Sequence, residues 1–252
     1  MDSIKRSIET TKKSFELSFG EEQFYNKQTQ DEKHLKLILD SLKLTNGMKI
    51  LDLGTGNGYM AFPIAVSNPG VEVIGLDIVE QTLSKNRSKA EMMGIGNLKF
   101  CAYDGVTFPF KDNEFDYIIS RYALHHFPKL NVTFSEMNRV LKANGKLVIS
   151  DPTPNSNDSS KFVDEFMQMK EDGHIQFYSL QEYVLLAKEA NFKFISNTCS
   201  EITFPRKNAK SYEYLLNKHS KEITDGYHIN VINDEIYITE QVLNMIFEKD
   251  LA

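Results

Sequence analysis

The sequence predicts a doubly wound α/β fold with a mostly parallel sheet, and three observations carry that prediction. Short apolar runs rich in Val and Ile alternate with helix-period segments between Met48 and Ser150. The first run leads straight into Asp52-Leu53-Gly54-Thr55-Gly56-Asn57-Gly58, and a helical segment follows. The second run ends on Asp77, about 20 residues further on, where folds of this kind grip ribose hydroxyls.

In chain order, Ser3 to Leu17 places Ile4, Ile8, Phe15 and Leu17 at loosely helical spacing. Asp31 to Leu42 is a clearer helix, with Leu35, Ile38, Leu39 and Leu42 on one face, closed by Thr45-Asn46-Gly47. Met48–Leu53, Val71–Leu76, Leu98–Ala102, Phe115–Ile119 and Lys146–Ser150 then read as strands. Their near-continuous hydrophobicity suits parallel strands buried on both faces. The helices between them are Met60–Ser67, Glu80–Met93 and Leu130–Leu141. After Asp151 the stretch Pro152 to Ser160 is a linker. Helices over 161–171, 180–190 and 209–219, and strands over 193–203 and 241–249, complete the chain. This divides it into an N-terminal helical lid (1–45), a cofactor-binding core (46–151), and a segment (152–252) that completes the sheet and caps the substrate side, all within one compact domain.

The 252 residues suffice for one sizeable α/β domain with an insertion or cap. A net charge of −6 makes nucleic acid a poor default partner. Arg206, Lys207 and Lys210 read as a solvated basic surface rather than a phosphate-binding face. Cys101 and Cys199 both fall in strands and are expected as buried thiols, not as a disulfide. No stretch is long and apolar enough for a bilayer, and Met1 to Ser18 lacks the apolar core of a signal peptide, so a cytoplasmic location is expected. His34, His174, His219 and His228 are scattered without metal-ligand spacing and are expected at the surface or as caps, with no metal.

The glycines permit a tight turn and close approach of a ligand to the backbone, and the following helix start offers free N–H groups. With Asp77, this points to an adenosine-containing cofactor. A dinucleotide fingerprint would place a glycine where Tyr59 stands. The Gly-x-Gly-x-Gly spacing suits S-adenosylmethionine, which carries an amino-acid zwitterion and no pyrophosphate.

Asp52 to Gly58, Asp77, Asp104 to Asp116, Ala123-Leu124-His125-His126-Phe127 and Arg139 to Gly145, taken in this order, resemble the class I S-adenosylmethionine-dependent methyltransferases of the ubiquinone/menaquinone-methyltransferase-like group. The resemblance covers Met48 to Asp151. It implies a seven-stranded sheet whose last strand is antiparallel. It implies a cofactor site of Asp52, Gly54, Thr55, Gly56, Asp77, Ile78, Asp104, Gly105 and Arg121. In it the glycine loop wraps the methionine part, Asp77 binds the ribose, Ile78 lies on the adenine, Asp104 meets its amine, and the Arg121 backbone borders the methionine end. Taken alone, Asp104 reads equally as a turn-former before Gly105. Where the family has Pro-Gly-Gly, this chain has Ala143-Asn144-Gly145, and Asn tolerates the left-handed backbone such a turn needs.

The methyl of this cofactor is already activated by the sulfonium, so an enzyme must chiefly position the acceptor, exclude water and, for a hydroxyl or ammonium acceptor, remove a proton. His125, beyond the fourth strand, and Asp151, at the end of the fifth, would be neighbours at the carboxyl edge, with Asp151 orienting His125 as general base. His126 suits packing. Phe19, Phe24 and Tyr25 are candidates for a lid, with Tyr25 a further cofactor contact. Phe162, Phe166, Met167, Met169, Phe177, Tyr178 and Tyr183 would either wall an acceptor pocket or form core. The expected function is methylation of a small molecule at O, N or C, releasing S-adenosylhomocysteine, by a monomer or homodimer. A non-catalytic S-adenosylmethionine-binding module and a nucleic-acid methyltransferase are the alternatives; an open acceptor cavity would favour the enzyme.

Overall fold

The computed structural model describes residues 3–18, 31–170 and 172–250. The elements run α1 (Ser3–Ser18), α2 (Glu32–Ser41), β1 (Lys49–Leu53), α3 (Ala61–Ser67), β2 (Glu72–Asp77), α4 (Glu80–Met92), β3 (Leu98–Ala102) and β4 (Phe115–Arg121). A 3-10 turn (Leu124–His126) precedes α5 (Leu130–Val140), β5 (Leu141–Thr153), α6 (Phe162–Gln168), α7 (Leu180–Glu189) and β6 (Phe192–Lys207). A second 3-10 turn (Ala209–Tyr212) leads to α8 (Glu213–Lys218), α9 (Lys221–Asp225), β7 (Asn230–Ile232) and β8 (Glu235–Lys249).

The sheet order is β3-β2-β1-β4-β5-β8-β6. The first five strands are mutually parallel, and β8 lies antiparallel between β5 and β6. This is the expected mixed sheet with its last strand reversed. Short β7 also pairs with β8, making eight strands in all. Local sequence explains most boundaries. Asp31 caps α2 by accepting from Lys33 and His34 N–H, and Ser179 with Glu182 forms a capping box on α7. Helix α6 begins one residue later than expected because Asp158 accepts from Phe162 and Val163 N–H, while Lys161 is left-handed. Asn144 stands at φ 59 as its tolerance for that region suggested.

Successive strand residues supply opposite faces of the sheet. Leu51, Ile74, Ile118 and Leu147 join the core under α5 and α7, while Ile50, Val73, Ile119 and Val148 pack under α2 and α3. A third core, of Tyr122, Phe162, Phe166, Phe204, Tyr227 and Ile238, lies where β6 and β8 extend past the paired end of β5. Phe162, Phe166 and Tyr183 are therefore core, whereas Met169 is exposed. Among the described residues no helix is long and apolar enough to cross a membrane.

The structure corrects four expectations. Cys199 is exposed on the outer strand β6 and Cys101 is half-buried; both are free. His34 and His174 are buried and hydrogen-bonded, not surface residues. Arg206 is 8% exposed and turned into the third core, so the basic surface is reduced to Lys207 and Lys210. The final strands run over 192–207 and 235–249, longer than 193–203 and 241–249, because they form a hairpin-like pair along their full length.

Candidate active site

The chain reverses its strand order between β1 and β4, which opens a crevice at their carboxyl ends. Gly54, Gly56 and Gly58 turn there with φ of 70, 49 and 79. A side chain at Gly54 would place its Cβ 2.5 Å from that of Ala123, so glycine lets the loop pass close to the segment after β4. The loop is held from below by Asp52, which accepts from Thr55 Oγ1 (2.6 Å) and Ala61 N–H (3.2 Å). Burial pushes the Asp52 carboxyl up to about 6, against the pull of those hydrogen bonds. The first N–H of α3 is thus occupied by Asp52 rather than free for a ligand.

Asp77 closes the loop from the side. Its Oδ2 accepts from Gly56 N–H (2.8 Å) and its Oδ1 from Val79 N–H (3.0 Å). Burial raises its carboxyl despite these bonds. Each oxygen keeps a lone pair for a further donor.

Above this frame lies a cavity of about 890 Å3 measured out to its mouth, lined by Gly54, Thr55, Gly56, Asp77, Ile78, Gly105 and Arg121 among others. Seven predicted cofactor residues therefore meet in one place. Asp52 lies beneath the loop instead of on the wall. Asp104 is exposed, with Oδ1 accepting from Val106 and Thr107 N–H (both 2.8 Å), in the geometry of a turn-former. Tyr25, with Phe19 and Phe24, lies outside the described residues. Helix α1 covers the cavity through Ile8, Thr11 and Phe15.

Several wall residues were not foreseen. Tyr103 lines the cavity, and Tyr59 stacks under the Arg121 guanidinium at 4.1 Å. Tyr122 takes φ 52, a strained value for a bulky residue, and its ring sits 3.9 Å from the Arg121 guanidinium and stacks on His34. His34 Nε2 in turn bonds Asn244 (2.9 Å) and Ser150 (3.0 Å), tying α2 to β5 and β8. The sequence offered only the helical phase of His34, beside Ile38, as a hint of burial.

A family model described as a methyltransferase domain matches residues 44–220. The chain belongs to this family. It carries a class I S-adenosylmethionine-dependent methyltransferase domain, and its cofactor is S-adenosylmethionine. The uncharacterized methyltransferase YcgJ of Bacillus subtilis is 30% identical over 150 residues, 59% of this chain and 58% of that protein. Demethylmenaquinone methyltransferase of Staphylococcus carnosus is 37% identical over 115 residues, 45% of this chain and 46% of that protein. The matches thus span about half the length of these curated relatives. The crystal structure of YcgJ shares the fold with a TM-score of 0.77 at 23% identity, covering 88% of this chain and 100% of that one. So does a SAM-dependent methyltransferase from Aquifex aeolicus, with a TM-score of 0.53 at 17% identity, covering 84% of this chain and 88% of that one.

The methyltransferase cavity has polar atoms to spare for such a cofactor. Thr11 Oγ1 and His126 Nδ1 are buried on its wall with no hydrogen-bond partner among the described residues. His126 is held well below the ordinary histidine value, by burial and then by the neighbouring His125, and so stays neutral.

A second, smaller cavity, about 430 Å3 with the solvent at its open mouth included, shares Tyr122 and His126 with the first as walls. His125 faces it, 6% exposed, with Nδ1 2.9 Å from Asp151 Oδ1. Asp151 Oδ2 accepts from the Tyr183 hydroxyl at 2.8 Å. A carboxylate can only accept, so Nδ1 carries the proton and Nε2 is the basic nitrogen of the neutral ring. Burial opposes charge on His125, but the charge and hydrogen bond of Asp151 outweigh it and raise the imidazole above 6.5. Among the described residues no group of three or more His, Cys, Asp or Glu side chains could hold a metal ion.

Proposed function

We propose that the protein transfers the methyl group of S-adenosylmethionine to a small molecule, with the cofactor in the larger cavity and the acceptor in the smaller one. The observation that carries this reading is the pair of adjoining cavities, one built on the glycine loop and Asp77, the other on His125 and Asp151. Asp77 would take the ribose hydroxyls, Ile78 and Tyr103 would border the adenine, and the loop backbone with Arg121 would border the methionine end. The cofactor supplies a methyl group on a positively charged sulfur and leaves as S-adenosylhomocysteine.

The residues of the chain then have three tasks. Helix α1 keeps water from the cavity through Ile8 and Phe15. Tyr122 and His126, which line both cavities, would orient the acceptor atom towards the methyl group. His125 Nε2 takes the proton from an acceptor hydroxyl as its oxygen attacks, or from an ammonium before the freed nitrogen lone pair attacks, and Asp151 stabilises the resulting imidazolium. The open second cavity favours an enzyme over a non-catalytic binding module. The staphylococcal relative's name suggests a quinone, but that likeness spans only 45% of this chain. An acidic protein with Arg206 buried offers little to a nucleic-acid backbone.

Calorimetric titration with S-adenosylmethionine and with NAD tests the cofactor half. Asp77→Ala should weaken S-adenosylmethionine by roughly tenfold or more, about 1.4 kcal/mol. Equal binding by the variant, or a preference for NAD, would overturn the assignment.

A further inference from the structure

We infer that the smaller cavity binds its acceptor through a carboxylate held by Arg206, so that the methyl acceptor is a compact monoanion with an apolar body. This rests on the two-cavity reading above and narrows it to a substrate class.

Arg206 lies on the part of β6 that extends past β5, and its side chain enters the cavity wall. Buried to more than nine-tenths, it has five N–H donors and weak use for them. Nη1 donates to the carbonyl of its own neighbour Pro205 (3.2 Å) and Nη2 reaches Met167 Sδ (3.4 Å). Nε has no partner, and no carboxylate forms an ion pair with this guanidinium among the described residues. Arg139 shows what a satisfied guanidinium looks like in the same chain. It donates to Glu136, Asp112 and the carbonyls of Phe108 and Phe110. A cation removed from water without a counter-ion is costly, and the fork of an arginine matches a carboxylate with two parallel hydrogen bonds.

The other charges on this wall are already matched. Lys170 pairs with Asp172 at 3.1 Å, and His125 pairs with Asp151. Glu240 lies fully buried on β8 and feels the Arg206 charge, but among the described residues neither of its oxygens has a hydrogen-bond partner, so it leaves the guanidinium N–H groups unmet. Among the described residues on this wall, the Arg206 guanidinium is the cation with an N–H left unmet, which suits a ligand with one carboxylate. The remaining surface is apolar: Tyr122, Phe177, Phe204 and Met167. With its carboxylate on Arg206, a ligand reaches past His125 towards Tyr122 and His126, the residues this cavity shares with the cofactor cavity. An anchor of this kind also explains why a carboxylate-free lipophilic quinone would leave the guanidinium unpaired.

The probes are benzoate, phenylacetate, their neutral amides and phenyl phosphate, titrated calorimetrically with and without S-adenosylhomocysteine. At least one carboxylate should bind roughly tenfold or more tighter than its amide, and Arg206→Gln should erase that preference. Arg206→Lys, which keeps the charge, should restore part of it. S-adenosylhomocysteine affinity should stay the same in all three proteins. Amides binding as well as acids, failure of every carboxylate to bind, or carboxylate affinity indifferent to Arg206→Gln would overturn the inference. Preference for phenyl phosphate over both acids would overturn the carboxylate assignment as well. The acid–amide comparison on the wild-type protein needs no variant to fold. If S-adenosylhomocysteine itself fails to bind, the proposed function falls, while the cofactor-free titrations still decide the carboxylate site.

Discussion

The two cavities are built by opposite rules. Around the glycine loop, every buried carboxylate is used: Asp52 holds Thr55 and Ala61, and Asp77 holds Gly56 and Val79. The glycine loop is a finished frame in which polar groups fix the backbone, and among the described residues the unmet polar atoms on that cavity's wall, Thr11 Oγ1 and His126 Nδ1, lie outside the loop. Where β6 and β8 extend past β5, Arg206 Nε and both Glu240 oxygens are buried without hydrogen-bond partners among the described residues. Such groups destabilise the folded chain by roughly 1–3 kcal/mol each unless something meets them. The contrast teaches that a shared cofactor is met by a preformed, self-satisfied loop. The proposed acceptor cavity is instead bordered by buried groups that a ligand could still meet.

The largest expected effect tests whether the boundary between the halves is where chemistry occurs. His125→Ala should cut turnover by roughly 10²- to 10⁴-fold while S-adenosylmethionine affinity stays unchanged. Because the His125 value is raised and the neutral ring is the base, the wild-type rate should fall with acid from a point above 6.5. That limb should vanish in the variant. A pH–rate profile on both proteins checks this, and unchanged turnover removes His125 from the mechanism.

Glu240→Gln measures the cost of the unsatisfied side. Burial pushes Glu240 up to about 7 from 4.5, so the folded chain keeps this proton while the unfolded chain loses it. Its contribution is therefore fully present below 4.5 and lost as pH rises to about 7. The glutamine variant should gain stability over wild type at pH 8, by up to about 3 kcal/mol, and nothing at pH 4. Denaturant melts at the two pH values read it; an equal gain at both would mean the carboxyl is not the cause.

Gly54→Ala strikes the satisfied side. A Cβ there meets Ala123 at 2.5 Å on a backbone at φ +70. A loss of about 2 kcal/mol or more is expected, with weaker cofactor binding, because the rigid frame cannot yield. Retention of both would show that the loop is softer than its hydrogen bonds suggest. The smallest effect belongs to Asp158→Ala, which removes the cap of α6 and the partner of the Tyr227 hydroxyl. Thermal unfolding should report about 1–2 kcal/mol, without change in S-adenosylmethionine affinity.

Legibility in the sequence follows the same division. The glycine loop and Asp77 could be read because their geometry is local: strand, turn and helix lie within one βαβ unit. His125 and Asp151 could be paired because both stand at the carboxyl ends of neighbouring strands. Tyr122 could not, since nothing in a bulky residue's type announces φ 52. The sequence puts Arg206 at the surface because its strand pattern ends at Thr203. The signal was available in the alternation of Ile202, Phe204 and Arg206, which share one face of β6. Asp104 shows the reverse limit, since its placement before Gly105 serves a turn as well as a ligand.

The sequence alone determined the parallel sheet, the cofactor loop and the residues that shape it, because apolar periodicity and backbone-demanding residues act over a few positions. Only the tertiary structure decided what lines the proposed acceptor cavity. Strand β8, which carries Glu240, inserts between β5 and β6, and its long pairing with β6 brings Arg206 to the cavity that His125 also lines. The meeting of residues more than 80 positions apart depends on sheet order and strand length, and these are settled by packing rather than by any local pattern.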